Sequence, residues 1–528
     1  MTLKTQNIII VGGGSAGWMS AATIIAAHPN KSVTVIESPD VPTVGVGEST
    51  LGFIRAWMHV LGVEEQDFMR YTDASYKMSI KFTDFNGKGS GGYHYPFGQT
   101  HFNPSAQLGL NDWFVKKAFY PDTPVQDYCR TFYPQMPLVE NNKFNENKGG
   151  EFGLFNPKTD VAYHFDATKF ANWLREKYCL PRGVKHIPGM VKTINTDEEG
   201  ITSLILEDGT EITGDLYVDC TGFRSLLLGG ALEEPFISYS DILPNNRAWA
   251  TKVQYIDKEK ELEPYTNCTA LTNGWVWNIP CWERIGTGYV YSDKFISKEE
   301  ALEEFKEHLK TGMTIKDSER IEDLEFKDIE MRVGIHERTW VKNVVGIGLS
   351  AGFIEPLESN GLLTIHEFVS KLVLFLGRDV VSRFDQDIYN RGTKLFFRNF
   401  SEFVSLHYAL STRRDSEYWR DITSRCMDEK VYKLIPDAQE GFADFANRKM
   451  FTREYVPTAG IHCIATGLDY YIVDKTIIKT WEFFNSGRDY KKMIDELIPI
   501  WEKEKRMCQR EADDSPTLYH YLKNKIHY

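Results

Sequence analysis

A strand-like run, a glycine turn and a small-residue helix fill the start of the chain and constrain everything after them. Ile8-Ile9-Ile10-Val11 leads into Gly12-Gly13-Gly14-Ser15-Ala16-Gly17. A small-residue apolar stretch follows, and Val33-Thr34-Val35-Ile36 ends on Glu37. This reads as strand, tight turn, helix, strand. Gly12, Gly14 and Gly17 fit G-x-G-x-x-G: the first for the turn, the second for close approach of a pyrophosphate, the third for helix-on-strand packing. Ser15 and Ala16 sit at the helix start, where free N–H groups and the positive dipole end face phosphates. Glu37 lies about 20 residues past the glycines, where an acid binds a ribose hydroxyl. The pattern predicts a dinucleotide site in a doubly wound α/β (Rossmann-like) domain.

The rest of the chain fits modules around that unit. Its 528 residues suffice for two or three packed units. With 61 basic against 74 acidic residues the net charge is -13, which offers no footprint for nucleic acid or an anionic membrane. No apolar run reaches the ~18 residues of a transmembrane helix. The first strand begins near Ile8, leaving no room for a signal peptide ahead of it. Eight cysteines without a C-x-x-C pair read as free thiols in a reducing cytosol, so a cytoplasmic protein without a metal site is expected.

Several later segments carry chemistry. Val44-Gly45-Val46-Gly47-Glu48 lets backbone run close to a flat ligand. Ser75 to Phe82 contains Lys77 and Lys81, expected on one face. Tyr93-His94-Tyr95-Pro96-Phe97 puts aromatics on a loop, where they stack a flat substrate or cap a core. Asp166 is placed to cap a helix running to about Tyr178. Leu216 to Gly222 reads as a buried strand rejoining the first sheet. Residues 233–330 read as mostly strand, broken by one helix from Lys298 to Leu309. Within them Trp275 and Trp277 project from one strand face, as a core wall or a wall against a cofactor. Val344 to Gly352 is a second glycine-rich strand end, followed by a long apolar helix. From about Asp385 the chain is mainly helical, with Met493, Leu497 and Trp501 on one face.

Together these motifs resemble the flavin-dependent tryptophan halogenases. The resemblance runs from Ile8 to about Trp419. It rests on Gly12 to Gly17, Gly45-Val46-Gly47-Glu48, the Lys77 segment, His164-Phe165-Asp166-Ala167 and Asp219-Cys220-Thr221-Gly222. Trp275-x-Trp277-x-Ile279-Pro280, Gly346 to Ser350, Glu355-Pro356-Leu357-Glu358-Ser359, and His407-Tyr408 with Asp415 and Trp419 complete it.

The resemblance implies an FAD-binding module over 1–384, with inserted β-rich regions at about 86–160 and 233–330. It implies a helical substrate-chamber module over 385–528. By position, Gly12, Gly14, Ser15, Ala16, Gly17, Glu37, Gly47, Glu48, Trp275, Trp277, Gly348 and Leu349 belong to the cofactor site. Lys77 matches a catalytic lysine and Glu358 an essential glutamate; Lys81 matches neither. Ser359 neighbours the tunnel, and the backbone N–H groups of Asn360 and Gly361 match a halide site. In this family a separate reductase supplies FADH2, which reacts with O2 to a flavin hydroperoxide. Chloride or bromide attacks it, and the hypohalous acid formed passes through a tunnel to an aromatic substrate. Glu358 is left three roles: accepting the ring proton, stabilising the cationic ring, or holding Lys77.

The departures concern the substrate. The family sandwiches indole with a His-x-Phe pair, whereas His94-Tyr95-Pro96-Phe97 has one residue more. His94 or Tyr95 therefore fills the first place and Phe97 the second; His94 is taken as the site residue. Phe442 to Val456 has no tryptophan and no paired tyrosines, offering Arg448, Lys449, Arg453, Glu454 and Tyr455 instead. An indole, phenol or other electron-rich ring is expected rather than free tryptophan. A single-component flavin monooxygenase and a non-catalytic flavin-binding protein are the alternatives, and a homo-oligomer is compatible with all three.

Overall fold

The computed structural model describes residues 2–41, 45, 48–101, 112–312, 321–378, 380–425, 458–470, 473–484 and 486–528. Gly47 and the Phe442 to Val456 stretch lie outside them. The β-branched run Asn7–Val11 is the middle of a six-stranded sheet, with Ile8 and Ile10 inaccessible to solvent. It pairs in parallel with Ser32–Glu37 on one side and Leu216–Asp219 on the other. Val344–Gly346 adds in parallel beside Leu216–Asp219, and Lys185–Pro188 beside Ser32–Glu37. The expected return of Leu216–Asp219 to the first sheet is therefore present, and Val344–Gly346 joins the same sheet beside it. The apolar runs follow from burial on both faces, as parallel sheets require. The helices Ser15–Ala27 and Gly361–Leu376 pack together over one face.

A seven-stranded sheet carries the second half of the site. Its order is Lys327–Glu330, Arg247–Val253, Ile285–Tyr291, Gly274–Pro280, Tyr265–Ala270, Ser79–Thr83 and Gly92–Pro96. The helix between strands runs Lys298–Gly312. Three-stranded pairing of Glu48–Ser49, Ala162–Phe165 and Ser75–Lys77 joins the two sheets.

Two expectations need correction here. Lys77 and Lys81 do not share one surface. Met78 leaves one sheet for the other, its N–H bonding to Pro264 O, so Lys77 pairs opposite Ala162 and Lys81 opposite His94. Residues 86–160 are also not β-rich. After Gly92–Pro96 they supply the helices Asp112–Phe119, Asp127–Phe132 and Met136–Glu140. Tyr128 and Phe132, four apart and both buried, give that segment a helical stripe.

Past Ser382 the described chain is helical. Ser382 caps the helix Arg383–Ala409 in a reciprocal box with Asp385. That 27-residue helix carries His407 into the interior. Glu417–Arg425, Thr458–Gly467, Lys475–Phe484 and Tyr490–Asp514 follow, and Met493, Leu497 and Trp501 are buried as their spacing predicts. The seven described cysteines are free. Among the described residues no helix is long and apolar enough to cross a membrane, and no His, Cys, Asp and Glu cluster fits a metal ion.

Candidate active site

The glycine turn opens on a cleft of about 630 Å³. Gly12 has φ +114°, and a Cβ there would stand 2.2 Å from Cys220 O. Gly17 lies behind the wall, where a Cβ would meet Gly12 O at 1.8 Å. Any side chain at either position would therefore displace the turn. The carboxylate of Glu37 lies over Gly13, whose added Cβ would meet Glu37 Cδ at 2.1 Å. Gly12, Gly14, Ser15, Ala16, Glu37, Glu48, Trp277, Gly348 and Leu349 all line the cleft. Its floor is the start of Ser15–Ala27, which has no side-chain cap, and Ser15 Oγ is buried without a hydrogen-bond partner. Uncapped amides and an orphaned hydroxyl suit a pyrophosphate, so the residues present fit FAD. Burial, and then the charge of Asp166, push the Glu48 carboxyl up to about 8. At neutral pH it is a hydrogen-bond donor. Asp166 itself caps the helix at Ala167, accepting from Thr168 N and Lys169 N.

Trp275 is not on the cleft wall. The two rings lie 6.2 Å apart as strand alternation requires. Trp275 is fully buried behind Trp277, its indole N–H 3.3 Å from Glu355 Oε2. Glu355 also accepts from Asn245 Nδ2 at 2.6 Å, and Asn245 reaches the hydroxyls of Tyr408 and Tyr418. The expected pair of cofactor tryptophans is one wall residue and one residue anchored to a polar core.

Beyond the cleft, the turn Pro356–Glu358 ends at Ser359, held at φ +56°. That left-handed backbone is unfavourable for a serine. It points Ser359 Oγ between Ser49 Oγ, at 3.0 Å, and Lys77 Nζ, at 2.8 Å. Lys77 is inaccessible to solvent. Its Nζ also donates to Thr50 O at 2.9 Å and lies 5.0 Å over the ring of Phe97. Burial lowers its pKa to about 7, with Cys268 and Glu358 acting in the opposite direction. The amine and ammonium forms are both populated near neutrality.

Glu358 is held independently. Its Oε1 lies 2.7 Å from His407 Nε2, and His407 Nδ1 lies 3.1 Å from the Tyr93 hydroxyl. Glu358 and His407 are both buried. Among the described residues, the Glu358 carboxylate contacts His407 and not Lys77. The third role left to Glu358, holding Lys77, therefore has no contact behind it. His407 entered the sequence reading only as part of a matched motif, without a role, although an unaccompanied histidine among Phe403, Val404 and Leu406 was a visible signal. Tyr93 was missed because only its neighbours matched an aromatic pair.

His94 does not face Lys77. In Gly92–Pro96 it points to the opposite side from Tyr93 and Tyr95, with Nδ1 2.9 Å from Ser79 Oγ and its ring 5.0 Å from Tyr265. It lines a separate polar cleft with Lys81 and Arg130. Burial, aided by those two cations, lowers its pKa to about 3. Tyr95 instead packs edge-on to Phe97 and Phe403, at 6.3 Å from each. Burial, and then the Glu358 carboxylate, push its hydroxyl up. One strand step decides the matter: alternate residues face opposite sides.

Asn360 and Gly361 also line the cleft, at the start of Gly361–Leu376. No side chain caps that helix. Its first residues line the same space as the glycine turn.

The family whose model matches this chain is tryptophan halogenase, over residues 7–461. The tryptophan 6-halogenase ThaL of Streptomyces albogriseolus is 35% identical over 496 residues, covering 89% of this chain and 90% of ThaL. The apo structure of VirX1 superposes with a TM-score of 0.89 at 36% identity, covering 99% of this chain and 100% of that one. BrvH, a flavin-dependent halogenase from Brevundimonas sp. BAL3, gives a TM-score of 0.82 at 27% identity over 99% of each chain. With a site built for FAD, a buried lysine and a carboxylate beyond it, the chain belongs to the tryptophan halogenase family and is a flavin-dependent halogenase.

Proposed function

We propose that this enzyme halogenates an electron-rich aromatic ring of the indole or phenol type, with Lys77 presenting hypohalous acid and Glu358 taking up the ring proton. The observation that carries this reading is the position of Ser359: its hydroxyl lines the flavin cleft and also bonds Lys77. Bound FADH2, delivered by a separate reductase, supplies hypohalous acid from O2 and chloride or bromide.

This chain's residues then do the following. Gly12, Gly14, Ser15 and Ala16 hold the pyrophosphate, Glu37 a ribose, and Glu48, Gly348 and Leu349 border the ring system. The amides of Asn360 and Gly361 hold the halide, with no carboxylate needed at contact distance. Trp277 keeps organic substrate out of the cleft, which suppresses oxygen insertion. Ser359 stands between the cleft and Lys77. Oε1 of Glu358 is occupied by His407, leaving Oε2 to accept the proton from the halogenated ring. Tyr95 and Phe97 supply aromatic faces for the substrate. The named activities of relatives such as ThaL support an indole ring.

The test is a coupled reaction containing the protein, a flavin reductase, NADH, FAD and bromide, offered tryptophan and a panel of indoles and phenols. The expected result is a bromine isotope doublet on at least one ring. Addition of one oxygen in place of bromine would overturn the reading.

A further inference from the structure

A line of hydrogen bonds leaves Lys77, follows the cleft wall and ends on a backbone carbonyl. From Lys77 Nζ it passes to Ser359 Oγ at 2.8 Å and to Ser49 Oγ at 3.0 Å. It continues to Thr266 Oγ1 at 2.6 Å and His164 Nε2 at 2.9 Å. On the other side of the imidazole, Nδ1 lies 3.4 Å from Ser75 Oγ, and the Ser75 hydroxyl donates to Pro280 O. Ser49, Thr266 and Ser359 line the cleft, whereas His164 is wholly buried.

The far end sets the direction of the line. A carbonyl only accepts, so Ser75 gives its proton to Pro280 and turns a lone pair to His164. Nδ1 therefore carries the imidazole proton. Burial, with Lys77 acting the same way, holds His164 well below its ordinary pKa, so the ring is neutral and Nε2 is bare. Thr266 then donates to His164, Ser49 to Thr266, and Ser359 to Ser49. Ser359 thus meets Lys77 with a lone pair. The other partner of Nζ, Thr50 O, also only accepts. Two N–H bonds are consumed, and Cε takes a third position of the tetrahedral nitrogen. One position remains. In the neutral amine it holds the lone pair.

We propose that Thr266 and His164 are positioning residues for Lys77: by fixing the direction of the hydroxyl line they stop Ser359 from donating to the amine, and so leave the Lys77 lone pair free for the electrophilic halogen. This rests on the reading of Lys77 as the group that receives hypohalous acid. Neither residue touches the substrate in this scheme. Their effect passes through Ser49 and Ser359, whose hydroxyls would otherwise rotate freely between donating and accepting.

Two measurements test it. The first is nitrogen-15 NMR of histidine-labelled protein without flavin, with His164 assigned by the signals lost in His164→Gln. The expected tautomer has a protonated Nδ1 and a bare Nε2; a protonated Nε2 overturns the proposal. The second compares Thr266→Val, which keeps the shape and breaks the line, with Thr266→Ser, which keeps the hydroxyl. The valine variant is expected to lose about tenfold in brominated product per flavin oxidised, with the serine variant recovering most of it. Melting temperature should stay near wild type in both, and product is compared at saturating FAD because Thr266 lines the cleft. A wild-type yield from Thr266→Val, or an equal loss in Thr266→Ser, overturns the proposal. If wild type itself brominates nothing, the Lys77 reading fails, while the NMR result still decides the direction of the line.

Discussion

His407 Nε2 donates to Glu358 Oε1 across 2.7 Å, in a part of the protein that water does not reach. The opposite ring nitrogen, Nδ1, is 3.1 Å from the Tyr93 hydroxyl. Glu358 is thereby fixed in orientation by a helix residue 49 positions further along, while Lys77 is fixed by Thr50 and Ser359. The side chains of Glu358 and Lys77 are held by separate parts of the fold.

His407→Leu leaves a buried carboxylate without its donor, a change that typically costs about 3–5 kcal/mol of stability. The expected kinetic result is a fall in kcat of roughly 10²-fold, in the range for loss of a positioned base. His407→Gln, which keeps an N–H donor, should lose less. Steady-state rates, with FAD affinity measured in parallel, check this. Equal losses in both variants would remove the donor from the account.

Lys77 makes a prediction about stability and pH. Its folded pKa of about 7 lies below the ordinary 10.5. Between those values the unfolded chain holds a proton that the folded protein has released. Its contribution to stability therefore rises as pH rises through that window, and its burial is most costly at and below pH 7. Lys77→Met should raise Tm more at pH 6 than at pH 10. Thermal melts of both proteins at both pH values check the sign, and an equal shift at each would contradict it.

Trp275 and Trp277 should separate in their effects. Trp277→Ala opens the cleft wall and should weaken FAD binding, read by flavin fluorescence. Trp275→Phe removes the N–H that Glu355 accepts and should cost about 1 kcal/mol of stability, with FAD affinity retained. The expected cofactor role for both residues predicts loss of FAD binding in each.

His94 and Tyr95 form a similar contrast. Tyr95→Ala should change which ring position is halogenated on an indole probe, because that side chain borders Phe97 near Glu358. His94→Asn, on the far side of the strand, should leave the product pattern unchanged. Chromatography of the brominated isomers distinguishes them.

These contrasts show where sequence reasoning reached and where it stopped. The unit from Ile8 to Glu37 was legible because its constraints are local: a doubly buried strand, a turn that excludes Cβ atoms, and an acid at a fixed offset. Leu216–Asp219 and Val344–Gly346 were legible for the same reason. Lys77 and Glu358 were found only because whole motifs resembled a family; alone, the lysine reads as a solvated charge and the glutamate as a helix N-terminal acid. Lys81 was misplaced by the sheet change at Met78, which leaves no mark in the pattern of residues. His94 was misplaced by a single strand step. Trp275 was misplaced because its partner, Glu355, is 80 residues away. The pairings of His407 with Glu358 and Thr266 with His164 join distant segments, and no periodicity announces such contacts.

The most direct test of the central claim is halogen delivery in Lys77→Ala. Wild type and variant would be run with reductase, NADH, FAD, bromide and the best indole probe, following flavin oxidation and the bromine isotope doublet together. The account predicts that the variant still oxidises flavin while its brominated product disappears. Brominated product at the wild-type level, with the same ring position, would mean that freely diffusing hypohalous acid performs the reaction and that Lys77 does not.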